Sequence, residues 1–192
     1  MGLWFYFWYT EYGMNRYKKN FAYIDGNNLY RGTGNDGWSV DMYRLRRWLS
    51  DKYGVVCAYY FIGLVPKQKD LYTALQKAGF TLIFKEVVYN GSGEAKGNCD
   101  ADLVLQSSVD AFENNCDKQV LVTSDGDYAG LVKFLQTKEK LEVVISPSKV
   151  EKCSILLKRT DAPIVYCHDV RHKIELNKKA PGKDGTLQGS FS

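Results

Sequence analysis

FAYID, residues 21–25, runs straight into Gly26, and far downstream QVLVTSDGD, residues 119–127, repeats the same grammar. Each is a short apolar run, rich in β-branched or aromatic residues, that ends on an acid and a glycine. Such a run bounded by turn residues reads as a buried strand. Working outward from these two, VVCAYYFIG (55–63), TLIFKEVVY (81–89), LEVVIS (141–146) and a short run from Pro163 to Cys167 read the same way. Amphipathic segments separate them. Ser39 reads as the N-cap of a helix to about Tyr53, with Met42, Leu45, Trp48 and Leu49 on one face. KQKDLYTALQKAG (67–79) reads as a helix ended by Gly79, and a polar glycine-rich loop from Asn90 to Asn98 delivers the chain into a helix from about Asp100 to Asn114. Tyr128, Leu131, Val132 and Leu135 mark another helix, and Lys149 to Lys158 a further helical segment. Strict alternation of strand and helix predicts an α/β fold, a mostly parallel sheet sandwiched between helices.

The chain has 192 residues, 45% hydrophobic and 25% charged, which excludes fibrous and wholly disordered classes and suffices for one core without disulfides or metal. The five cysteines form no CxxC pair, so neither a zinc knuckle nor a redox motif is encoded, and a reducing, cytoplasmic setting is expected. The net charge is +4, and the whole surplus lies in the last 44 residues. Residues 1–20 read as an aromatic, then basic, extension whose apolar run is too short to span a bilayer, so no membrane association is expected. Residues 21–176 read as the single domain, and 177–192 as a flexible basic tail.

Open parallel sheets bind ligands at the carboxyl ends of their strands. Asp25 ends the first strand, Asp125 and Asp127 follow the fourth, and Asp100 and Asp102 open the helix after the glycine-rich loop. Each could singly be a cap or turn residue. Together at one edge they repel unless protonated or neutralised by a cation, and oxygen-only donors suit a hard divalent ion such as Mg²⁺ or Mn²⁺.

The runs NFAYIDGNNLYR, KGNCDADLVL and VLVTSDGDYAGLVKFL resemble the NYN domains, also called the LabA or DUF88 family, over about Phe21 to Tyr166. The resemblance implies a PIN-like, Rossmann-like α/β sandwich and a ribonuclease that uses Mg²⁺ or Mn²⁺. On the positions that match, it implies catalytic roles for Asp25, Asn28, Asp100, Asp125 and Asp127. Ser124 stands where many members have glycine. Some members also carry a further acid on the helix begun by Asp100, where this chain has Gln106 and no acid before Asp110.

The mechanism expected is metal-assisted hydrolysis of RNA phosphodiester bonds, with Asp25, Asp100 and Asp125 as direct ligands. Asp127 and Asp102 would act behind them or through water, and Asn28 would orient a carboxylate or the attacking water. Asp25, Asp100 and Asp125 should therefore lie close enough to share one ion or a pair. Lys96, Lys152 and Arg159 are the candidate contacts to RNA, single-stranded or structured, and a homodimer is open. The tyrosines Tyr23, Tyr59, Tyr60 and Tyr89 read as core rather than base-stacking residues, and His168 and His172 as exposed. Two rivals stand beside this reading: a haloacid-dehalogenase-type phosphatase, which wants its DxD at the end of the first strand, and an RNA-binding or scaffold module without turnover.

Overall fold

The computed structural model describes residues 18–86, 88–89, 95–96 and 99–177. The aromatic extension up to residue 17, most of the glycine-rich loop, the tail from 178 and the side chains of Lys96 and Tyr89 lie outside the described residues. The elements follow as β1 (Asn20–Asp25), α1 (Gly26–Gly34), α2 (Met42–Tyr53), β2 (Val55–Leu64), α3 (Lys69–Lys77) and β3 (Thr81–Glu86). Next come β4 (Val88–Tyr89), β5 (Ala95–Lys96), α4 (Asp100–Phe112), β6 (Gln119–Val122) and α5 (Ala129–Thr137). The chain closes with β7 (Leu141–Ser146), α6 (Ile155–Lys158), β8 (Ile164–Tyr166) and α7 (Arg171–Ile174).

Six strands form one sheet in the order β3-β2-β1-β6-β7-β8, and every pairing in it is parallel. The chain first winds outward from β1 to β3, then returns through α4 to β6 on the other side of β1 and winds outward again. Right-handed crossovers in opposite directions put their helices on opposite faces. Accordingly Leu29 of α1, Leu45 and Leu49 of α2, Leu75 of α3 and Ile174 of α7 share one core with Ala22 and Ile24. Leu103 of α4, Leu131, Val132 and Leu135 of α5 and Leu157 of α6 share the other with Phe21 and Tyr23. The strand order reverses between β1 and β6, where a parallel sheet opens a crevice at its carboxyl edge.

The sequence reading holds for the α/β sandwich and changes in four places. GNNLYRGTG, read as following a strand end, is helix α1: Asp25 caps it by accepting from Asn28 N at 2.9 Å, and buried Leu29 anchors it. The cap of α2 is Asp41, which accepts from Arg44 N at 3.1 Å, and not Ser39. Ser39 instead pairs with the segment that follows α7, its carbonyl accepting from Leu176 N beside a bridge between Val40 and Glu175. The run 81–89 splits, because β4 leaves the sheet to pair antiparallel with β5. The segment from Lys149 to Lys158 is one 3₁₀ turn and the single-turn helix α6.

Candidate metal centre

Alternation along β1 sends Ala22 and Ile24 to one face and Phe21 and Tyr23 to the other, so Asp25 leaves the strand on the side covered by α4. Ile24 pairs with Val122, which brings the end of β6 alongside. From there Asp125 caps a 3₁₀ turn, Gly126–Tyr128, by accepting from Asp127 N at 3.1 Å. The N-terminus of α4 presents Asp100 to the same place. Asp100, Asp125 and Asp127 each offer a carboxylate oxygen, all within 4.8 Å of one another. This is the tight group of acids among the described residues.

Asp25 sits beside that group and is tied to it by Tyr128. The Tyr128 hydroxyl donates a short hydrogen bond to Asp100 Oδ1, and Asp25 Oδ2 lies 3.4 Å from the same hydroxyl. Burial chiefly, with the charges of Asp100 and Asp125 adding, pushes the Asp25 carboxyl up to about 6, against the hydrogen bonds from Asn28 N and Tyr128. The same burial and the surrounding carboxylates push the Tyr128 phenol upward, so it stays a donor. Cys99, just before α4, is raised to about 11 by burial and by the nearby acids, which leaves it a poor nucleophile.

Asn28 fixes the β6 turn to α1. Its Oδ1 accepts from Ser124 N at 2.9 Å and from Ser124 Oγ at 2.7 Å, and Ser124 Oγ lies 2.9 Å from Ser148 Oγ beyond β7. Ser124 thus links the chain beyond the ends of β1, β6 and β7. Asp102 falls outside the tight group and pairs with Lys85 at 3.0 Å. Asp110, the other acid of α4, is buried and accepts from Tyr23 Oη, Gln106 Nε2 and Asn115 Nδ2 at 2.7, 3.0 and 2.9 Å. It is a core anchor, and α4 brings only its first turn to the site. Lys152 lies 3.5 Å from Asp36, while Arg159, His168 and His172 are exposed. Tyr23 and Tyr60 are buried and Tyr59 is half-buried.

Sequence reasoning missed Tyr128, counted only toward the apolar face of α5, and Lys85. The signal for Tyr128 lay in its position directly after SDGD.

With this geometry in place, the NYN domain family model matches residues 21–165. The chain belongs to the NYN domain family. As an NYN domain it is 28% identical over 133 residues to the low amplitude and bright protein LabA of Synechococcus elongatus, covering 65% of this chain and 71% of that one. Its fold is also that of a protein of unknown function from Vibrio parahaemolyticus, with a TM-score of 0.68 and 24% identity over 84% of this chain and 98% of the other. No helix among the described residues is long and apolar enough to cross a membrane.

Proposed function

We propose that this NYN domain is a metal-dependent ribonuclease that hydrolyses RNA phosphodiester bonds at its acidic strand edge. The observation that carries the reading is the convergence of Asp100, Asp125 and Asp127 within 4.8 Å, since three carboxylates held this close repel unless protonated or shared by a cation. Their oxygens suit Mg²⁺ or Mn²⁺, which take carboxylates, water and substrate phosphate as ligands. Asp100, Asp125 and Asp127 would hold the ion, with Asp25 as a further ligand or an acceptor for water. When bound, the ion supplies charge neutralisation at the attacked phosphate and acidifies a nearby water. Tyr128 keeps Asp100 and Asp25 aligned, and Asn28 keeps the Asp125 turn in register through Ser124.

The test is incubation of labelled single-stranded and structured RNAs with the protein, with and without Mn²⁺. Wild type is expected to cut RNA only with the ion, and Asp125→Asn to lose that cleavage while still folding. Absence of Mn²⁺-dependent cleavage, or cleavage untouched by Asp125→Asn, would overturn the reading and favour an RNA-binding module without turnover.

A further inference from the structure

The connection from β7 to β8, residues 147–163, presses against the turn that carries Asp125 and Asp127. Ser154 N donates to Ser124 O at 3.1 Å. A Cβ added at Gly126 would lie 2.4 Å from Ser154 Oγ and 3.2 Å from Leu156 Cβ, so the glycine of SDGD is what lets the connection close on the acid turn. Three large apolar side chains on this connection are exposed, Val150, Ile155 and Leu156 at 49%, 56% and 49%, and Leu156 lies against the acid turn at Gly126.

Cations punctuate the same stretch. Lys149 and Lys152 both reach Asp36 Oδ1, at 3.6 and 3.5 Å, yet their side chains stay 39% and 57% exposed. Over residues 147–163 Lys149, Lys152, Lys158 and Arg159 outnumber Glu151 and Asp161 by two, and Asp36 offsets one of that surplus. Arg159 follows Ile155 by one helical turn and is exposed on the same side of α6. Past the lysines, a cavity of about 320 Å³ lined by Lys149, Val150, Glu151, Tyr166, His168 and Asp169 opens at the carboxyl end of β8. At the usual strand spacing, β8 is about 10 Å from β6, within reach of a neighbouring nucleotide on one strand.

Exposed apolar surface alternating with cations and continuous with the acid cluster matches unpaired RNA, whose base faces are free for apolar contact while its phosphates seek cations. In a duplex those base faces are already stacked. Resting on the ribonuclease reading above, we propose that the β7–β8 connection is a platform for single-stranded RNA. Bases lie against Val150, Ile155 and Leu156, one base enters the cavity beside Tyr166, and the phosphates face Lys149, Lys152 and Arg159.

The experiment measures binding of the full chain, in EDTA so that no cleavage intervenes, to a short fluorescent oligouridylate and to an RNA duplex. Ile155→Ser with Leu156→Ser is expected to weaken single-strand binding about tenfold, the scale of roughly 55 Å² of apolar surface left uncovered, and to leave the salt slope unchanged. Lys149→Gln with Lys152→Gln is expected to make the log–log salt slope shallower by about 1.4, roughly 0.7 for each single-strand phosphate contact. All four positions are surface positions, and an unchanged melting temperature shows that the variants fold. Failure of wild type to bind the oligouridylate, single-strand affinity unchanged in both variants, or an equal loss on duplex would each overturn the platform. Mn²⁺-dependent cleavage alongside any of these would leave the ribonuclease reading standing, whereas platform-dependent binding without cleavage would do the reverse.

Discussion

Asp25 does two opposed things. It caps α1, which favours an oxygen acceptor at that position, and it holds a carboxylate in a half-buried place beside Asp100 and Asp125, which disfavours its charge. Its carboxyl titrates near 6 in the folded chain against 3.8 ordinarily, so the folded state binds the proton more tightly than the unfolded state. The stability that this proton contributes is fully present below about pH 4 and is lost as pH rises through about 6. Two pKa units correspond to roughly 3 kcal/mol. Asn caps as well as Asp, so Asp25→Asn should be more stable than wild type in EDTA at pH 8, by up to about 3 kcal/mol. The difference should vanish below pH 4 in urea titrations; an Asn variant less stable than wild type at pH 8 would show the charge to be needed for the fold. Tyr128→Phe runs the other way. Removing the phenol leaves Asp100 without that donor in a partly buried site, at a cost of about 1 kcal/mol or more in the same titration, and a variant as stable as wild type would contradict the bridge.

Among the elements, α1 shows where local sequence falls short. GNNLYRGTG carries three glycines and no helical stripe, and it is helical because tertiary contacts decide it: the Asp25 cap, buried Leu29 and the packing of Gly26 on β2. A Cβ at Gly26 would lie 2.3 Å from Tyr60 Cε1 and 2.8 Å from the Phe61 carbonyl oxygen, a backbone atom that cannot move aside. Gly26→Ala should therefore destabilise the fold by several kcal/mol, on the order of an overpacked core site. Gly34→Ala, with nothing within 4 Å, should be neutral or stabilising by up to about 1 kcal/mol. Equal melting temperatures for the two variants would contradict the close packing of α1. The strands β1, β2, β6 and β7 were legible because burial on both faces forces continuous apolar runs. Asp25, Asp100, Asp125 and Asp127 were legible as strand-end and helix-start acids. The ties between them were not: Tyr128 obeys the periodicity of a core residue while its hydroxyl meets partners 28 and 103 positions away. In the same way the role of Asp110 as a core anchor shows only through Tyr23, 87 positions distant.

For the molecule as a whole, the sheet edge divides into an acidic half at β1 and β6 and a mixed apolar and basic half beyond β7. If the folded body guides RNA, deleting residues 178–192 with their three lysines should leave the salt slope of RNA binding unchanged. A shallower slope after truncation would assign phosphate contacts to those lysines. Cleavage depends on the three converging carboxylates holding a divalent ion. Calorimetric titration of Mn²⁺ into the metal-free protein tests that most directly. Saturable binding to wild type is expected, weakened at least tenfold by Asp125→Asn and little changed by Asp102→Asn, whose carboxylate is paired with Lys85. No saturable binding, or binding that Asp125→Asn leaves intact, would contradict it.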